Sequence, residues 1–255
     1  MPLKIDMAKK HFPVVQAGER TNVEGKPVGN KILLSLPDRE YGLMRPHLKF
    51  IDLAHHLSLH EPRQKIQFAY FPNRGMMSLV VVTEDGRTVE VGVVGNEGFV
   101  GAGLAVGLSR SSVREVVQIA GDGFRIGANA LQRILRSAPQ LQLALGRYIV
   151  VQGMQVAQTA ACNRLHDIQR RLARWLLTTQ DRVDSGMLPI THDFIATMLG
   201  TDRPSVSLAA SVLQKMGLIE YTRGAVKILN RKELEKASCE CYDAIQQFNG
   251  ELGLR

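Results

Sequence analysis

The chain has 255 residues, 45% of them hydrophobic, with 32 Lys and Arg against 24 Asp and Glu, a net charge of +8 and a pI near 9.6. That length exceeds the common single-domain size and predicts two domains with separate cores, while the basic charge favours a polyanionic partner, either nucleic acid or an anionic surface. Cys162, Cys239 and Cys241 are odd in number and widely spaced, which excludes a disulfide framework and suits a reducing compartment.

Residues 1–29 contain Lys4, Lys9, Lys10 and Arg20 but no apolar signal-peptide core, and read as a mobile N-terminal segment. The Gly-rich run 99–108 is too short to span a bilayer, so the expectation is a cytoplasmic protein without a membrane partner. Residues 30–138 are strand-rich after a short helix over 31–35. Residues 77–83, the turn Glu84-Asp85-Gly86-Arg87 and residues 88–94 read as a hairpin. Ile66, Phe68, Tyr70 and Phe71 suggest an earlier strand, and 113–119 a later one. Short antiparallel strands with glycine-rich turns point to a small barrel or jelly roll in an α+β chain.

Pro139 opens a long helix over 139–162. In it Leu145, Ile149, Gln152, Val156 and Thr159 follow the four-and-three spacing of a partly apolar seam, read as a two-fold dimer contact, with burial inside the chain as the alternative. A further helix follows over 164–183. Its Leu165, Ile168, Leu172, Trp175, Leu176 and Thr179 face a core, whereas Arg170, Arg171, Arg174 and Arg182 lie largely elsewhere, open to phosphates or to solvent. Asp184-Ser185-Gly186 ends it.

Within 163–230 the parts of a winged helix-turn-helix come in order. Thr191 is placed to cap a short amphipathic helix from Asp193 to Leu199, and Gly200 supplies the bend. Asp202 caps a second helix with Pro204 in its first turn, where a missing amide costs little. Val206, Ala210, Leu213 and Gly217 make its buried stripe, leaving Arg203, Ser205, Ser207, Leu208 and Ser211 for a partner at the end such helices push into a major groove. Two short strands, 218–222 and 225–229, flank Arg223-Gly224 as a wing. Eleven Lys and Arg stand against six Asp and Glu between Asn163 and Lys232, so much of the charge surplus resides here. Residues 231–255 are expected to add a helix with Leu234, Tyr242, Ile245 and Phe248 inward.

Barrel, long helix and winged helix-turn-helix, in that order, resemble the CRP/FNR superfamily of bacterial transcription regulators. The likeness covers roughly residues 30–229. Its most specific residues are Asn163-Arg164-Leu165-His166, Arg171-Leu172-Ala173-Arg174-Trp175-Leu176-Leu177, Met198-Leu199-Gly200 and Leu213-Gln214-Lys215-Met216-Gly217-Leu218-Ile219. The tail Ala237-Ser238-Cys239-Glu240-Cys241-Tyr242 looks like that of one widespread subgroup. The resemblance implies a cyclic-nucleotide-binding-like sensor β-roll over 30–138, a dimerisation helix, and a homodimer on a two-fold symmetric double-stranded DNA site, with RNA polymerase as a further partner. It also implies that Arg203 reads a base, its fork suiting the acceptor pair of guanine. Leu208 can meet a thymine methyl and Ser207 either base type, while Thr201, Ser205 and Arg223 suit phosphates. Pro204 and Leu208 stand where cyclic-AMP-responsive members usually carry Glu and a second Arg, so their operator is not expected.

In cyclic-nucleotide-binding relatives a Gly-Glu pair and an arginine hold the ligand through an anion site at a helix N-terminus. The nearest equivalents are Glu97 in Gly95-Asn96-Glu97-Gly98 and Arg110 in Ser109-Arg110-Ser111-Ser112, separated by more residues than that motif allows. A cyclic nucleotide is therefore not the expected effector, and its identity stays open. Three distant cysteines fall short of the about four that an iron-sulfur cluster takes, so such a cluster within one chain is not expected; a dimer-bridging cluster, a metal contact at Cys162 and His166 and haem ligation by a histidine stay open, and no metal ligand is assigned. Cys239 and Cys241, two apart on one helix, would diverge, while Cys162 and His166 share a helical face. Two other functions remain at this point: a nucleotide-sensing protein-interaction module, and an enzyme using Cys162 and His166 as nucleophile and base. The latter lacks an orienting third group, and no catalytic residue is assigned.

Overall fold

The computed structural model describes residues 15–183 and 185–253. Residues 1–14 of the expected mobile segment, with Lys4, Lys9 and Lys10, and Asp184 of the expected helix terminator lie outside the described residues. Residues 15–29 are not loose. The buried Arg20 guanidinium donates to the carbonyls of Leu33 at 2.7 Å and Leu36 at 2.7 Å, the orphan acceptors at the end of helix α1 (Lys31–Ser35), and to Asp38 at the start of α2 (Asp38–Met44). Asn30 caps α1 by accepting from the Leu33 amide and also donates to the carbonyls of Pro72 and Gly98.

The N-terminal sheet is antiparallel. It comprises β1 (Lys49–Leu53), β2 (Ser58–His60), β3 (Phe68–Val82), β4 (Thr88–Val94) and β5 (Arg114–Gly127), in the order β1-β5-β3-β4, with β2 also paired to β5. The segments expected as two strands before residue 84 are one, because long-range pairing with β5 carries the chain straight through Pro72-Asn73-Arg74-Gly75. Turn chemistry there survives as bulges. Register shifts between Pro72 and Met77, and Gly75 takes φ +86 with its Cα so near β5 that a Cβ would sit 2.6 Å from the Ile119 carbonyl. Such bulges bend a strand and let the sheet curl into a roll. Gly98, in the turn after β4, has a different reason, since a Cβ there would lie 2.2 Å from the Tyr148 ring.

After α3 (Ala128–Leu135), the 27-residue helix α4 (Pro139–Leu165) closes the roll. Leu141, Leu145, Tyr148 and Val151 enter the core of the roll beside Phe71, Phe99 and Leu131, and Ile149 packs against it. Gln152 donates to the Tyr148 hydroxyl, Val156 approaches Gly92 of β4, and Thr159 lines a cavity beside Glu90. Of the seam expected as the dimer contact, Leu145 is buried against the roll, while Ile149, Gln152, Val156 and Thr159 are half-buried beside it. The open stripe lies on the other side, with Leu143 47%, Val150 64% and Met154 39% exposed. Both stripes carry apolar residues at heptad spacing, two residues out of phase.

Helix α5 (Ile168–Val183) runs between the two domains and is buried on almost every side. Its Leu172, Leu176 and Leu177 join the second core with Leu188, Ile195, Leu199, Val206, Leu213 and Val226, and Val80 of β3 reaches into that core from the sensor. Leu165 does not share this face. It is 75% exposed at the end of α4. The remaining elements are β6 (Met187–Leu188), α6 (His192–Leu199), α7 (Arg203–Lys215), β7 (Ile219–Thr222), β8 (Ala225–Ile228), α8 (Arg231–Ala237) and α9 (Cys241–Glu251). Leu234, Tyr242 and Ile245 are buried, and α9 packs along α4. No helix among the described residues is long and apolar enough to cross a membrane.

Candidate nucleic-acid interface

Local chemistry sets the helix-turn-helix. The Thr191 side chain accepts from the Phe194 amide at 3.2 Å, α6 ends at Gly200 in the left-handed region, and Asp202 accepts from the Ser205 amide at 2.8 Å to open α7. One face of α7 is sealed by Val206, Ala209, Ala210 and Leu213. Gly217 is not part of that stripe, because it lies past the helix end at φ +71.

The other face is open. The Arg203 side chain is 65% exposed and only 3.6 Å from Asp193, an ion pair loose enough for a phosphate or base to displace. Leu208 is 70% exposed, and Ser211 is exposed one turn further along. Thr201 and Ser205 are half-buried at the head of α7, where the Ser205 hydroxyl donates to Asp202. Ser207 is 3.0 Å from Nδ1 of His192, whose ring stacks on Tyr221 at 3.8 Å. Burial, with Arg203 nearby, lowers the His192 pKa. His192 and Tyr221 thus belong to the surface, although no sequence pattern marks them. β7 and β8 pair from Ile219 with Ile228 to Thr222 with Ala225, and Arg223 is exposed at the tip. Arg203, Ser207, Leu208 and Ser211 are brought together on α7, with Arg223 apart on the wing.

Two arginines expected on an open face are elsewhere. Arg174 and Arg182 are 4% and 5% exposed, because α5 is clamped between the β-roll and the helix-turn-helix. Arg171 donates to the Leu199 carbonyl, and Arg170 alone of the four is exposed, beside Asp167. Arg182 pairs with Glu97 at 3.2 Å, which ties the turn after β4 to α5. Arg110 donates to the Arg63 carbonyl at the surface, and no hydrogen bond or ion pair joins it to Glu97 among the described residues. Glu90 of β4 is buried against α5, accepting from the Trp175 indole at 2.8 Å and the Ser78 hydroxyl at 2.5 Å. Burial pushes its pKa up to about 7, opposed by those two hydrogen bonds and by Arg174 and Arg182. A cavity of about 20 Å³ lies beside it, lined by Thr159, Arg174, Thr178 and Thr179 together with Val93, Met198, Leu199 and Ile245, with room for about one water.

The three cysteines gather at the far end of α4. Cys239 and Cys241 do not diverge on one helix, because α8 stops at Ala237 and α9 starts at Cys241, so the pair spans a turn. With Cys162 and His166 they form one group. The Cys162 pKa is pulled down to about 5, chiefly by the hydrogen bond with Cys239, against the opposing effect of burial.

Residues 170–237 match the family model of the Crp-like helix-turn-helix domain. No curated protein sequence matches the chain. Among solved structures, a Crp/Fnr-family protein of Eubacterium rectale is 18% identical with a TM-score of 0.64, over 79% of this chain and 94% of that one. CLP of Xanthomonas campestris, described as a c-di-GMP-responsive global regulator, is 18% identical at 0.63, over 75% of this chain and 99% of that one. FixK2 of Bradyrhizobium japonicum is 14% identical at 0.63, over 75% and 98%. At these identities the likeness is one of fold. Residues 170–237 are thus a Crp-like helix-turn-helix domain, carried on a chain with the fold of the Crp/Fnr transcription regulators.

Proposed function

We propose that the protein is a dimeric, sequence-specific DNA-binding transcription regulator without a catalytic step, working on DNA in the cytoplasm. The observation that carries this reading is the open face of α7: a capped N-terminus presents Arg203, Ser207, Leu208 and Ser211 while the opposite face is sealed into a core. In the reading, Arg203 takes a guanine, Leu208 a thymine methyl, and Thr201, Ser205 and Arg223 the phosphates.

Dimerisation runs along the open stripe of α4, Leu143, Val150, Met154 and Ala157, with Gly146 and Gly153 between them admitting a second helix closely. A stripe repeating every seven residues winds two helices around each other, and a two-fold axis through them presents two copies of α7 to a symmetric site. The β-roll acts on the DNA-binding domain through the Glu97–Arg182 pair and the Glu90–Trp175 hydrogen bond, so an effector, whatever its chemistry, shifts the population of domain positions.

Capture of random genomic fragments by purified protein across a salt series tests the reading. Recovery of a shared palindrome, with affinity falling steeply as salt rises, is the expected result. Failure to enrich any sequence at any salt, with and without cell extract as a source of effector, contradicts it. A protein-interaction module would show no such salt dependence.

A further inference from the structure

Four side chains with metal-ligand chemistry meet where α4 gives way to α5. One ligand atom from each of Cys162, His166, Cys239 and Cys241 lies within 4.8 Å of all the others. The Sγ atoms of Cys162 and Cys239 are 3.5 Å apart, and Cys241 Sγ is 3.5 Å from Nδ1 of His166. The three cysteines are free thiols, buried in a cluster separate from both large cores. Local structure explains the convergence. Cys162 sits in the last turn of α4 and His166, four residues on, is its C-cap, while Cys239 and Cys241 flank the turn between α8 and α9.

The spacing decides what kind of centre fits. Zinc takes sulfur at about 2.3 Å and imidazole nitrogen at about 2.0–2.1 Å, so the edges of its tetrahedron are about 3.5–3.8 Å. Two of the contacts already have that length, and the outer limit of 4.8 Å closes with side-chain rotation. A multinuclear cluster distributes its ligands over several irons and would hold the thiolates farther apart. Three thiolates and an imidazole are soft donors that select zinc over oxygen-seeking cations.

The surroundings match the same role. Nε2 of His166 is 3.1 Å from the Glu240 carboxylate, the outer partner that fixes the tautomer of a ligating histidine and leaves Nδ1 unprotonated toward Cys241. The Gln158 amide donates to Cys241 Sγ at 3.1 Å. A divalent ion with three thiolates carries a net charge of −1, a small excess that the ligand set itself can hold.

We infer that Cys162, His166, Cys239 and Cys241 are the ligands of a closed, mononuclear zinc site that staples the α4–α5 hinge to the α8–α9 turn. All four coordination positions are filled by side chains, so the site is structural. It joins the end of the long helix to the last elements of the chain, at the point where the sensor hands over to the DNA-binding domain. This inference stands apart from the DNA-binding reading, since it concerns the hinge and not α7.

The full chain, purified anaerobically with reductant and reconstituted with zinc sulfate, tests it by elemental analysis and assay of acid-labile sulfide. One zinc per chain is expected in the wild type and less than a tenth of that in Cys239→Ser/Cys241→Ser. Cobalt substitution should give the ligand-field and thiolate charge-transfer bands of a tetrahedral thiolate site. Because the double variant removes buried groups, a milder pair keeps the test decisive if it unfolds. Glu240→Gln should weaken zinc about 10–100-fold against a chromophoric chelator, and His166→Cys should retain the ion where His166→Ala releases it. Circular dichroism checks their folds. Three free thiols without zinc after reconstitution, a Cys162–Cys239 disulfide persisting under reductant, or stoichiometric iron with acid-labile sulfide would each overturn the inference.

Discussion

Helices α4 and α7 each turn one face to the protein and leave one open, and the two open faces differ in kind. On α7 it is a cation, two serines and a single leucine, Arg203, Ser207, Ser211 and Leu208, a surface of donors and acceptors at groove scale. On α4 it is Leu143, Val150, Met154 and Ala157 with glycines between and the exposed Arg147 among them, a largely apolar surface. In the proposed reading, the chemistry of the face left over after core packing separates a nucleic-acid partner from a second copy of the helix.

Breaking the apolar face should have the largest effect. Val150→Glu with Met154→Glu should convert the dimer to a monomer in sedimentation, and DNA affinity should fall on the order of 10²–10⁴-fold as the second half-site contact is lost. Retention of the dimer would place the interface elsewhere. Leu145→Ala, on the inward face two residues out of phase, should do the opposite. It should leave the association state intact while lowering stability by about 2–5 kcal/mol in chemical denaturation. If Leu145→Ala dissociated the dimer without destabilising the fold, the two faces would have been assigned the wrong way round.

Glu90 sharpens the contrast from inside the molecule, because it is a charge-capable group placed on a sealed surface. Its pKa of about 7 in the folded chain lies above the ordinary 4.5, so between those pH values the folded state binds more protons than the unfolded one. Stability from this group is present below about 4.5 and is lost as pH rises toward 7, by up to roughly 3 kcal/mol, before levelling off. Ser78, Trp175, Arg174 and Arg182 face it. In Glu90→Gln that fall should vanish from thermal melts taken between pH 4.5 and 7. An unchanged profile would mean that Glu90 is ionised in the folded chain. The smallest effect expected is on the α7 cap, where Asp202→Ala should cost about 0.5–2 kcal/mol and leave the association state untouched.

The same two helices explain how far the sequence could be read. α7 and its turn rest on neighbours within a few residues: Thr191 on Phe194, Asp202 on Ser205, Gly200 in the left-handed region, and the Val206–Ala210–Leu213 stripe. Local chemistry of this sort is written in order along the chain, and helix and wing fall within a residue or so of their expected bounds. The inward face of α4 depends on what the β-roll offers it, and with apolar heptads on both sides periodicity alone cannot choose. Burial of Arg174 and Arg182 needs the docking of two domains around α5, which no pattern within the helix reveals. Cys162 and Cys239 are 77 residues apart in sequence, so their meeting is a product of the whole fold. The break between α8 and α9 was the available clue, since a helix drawn through Ser238 to Glu240 sends the two tail cysteines apart.

The central claim is that α7 reads sequence while the wing holds backbone, and Arg203→Ala compared with Arg223→Ala tests it most directly. Each variant would be titrated against the recovered palindrome and against a scrambled duplex over a range of salt. The account predicts that Arg203→Ala loses about 1–3 kcal/mol on the palindrome and little on the scrambled duplex, with discrimination relaxed at one base position, whereas Arg223→Ala weakens both alike and lowers the salt slope by about one. Equal losses on both duplexes for Arg203→Ala would contradict it.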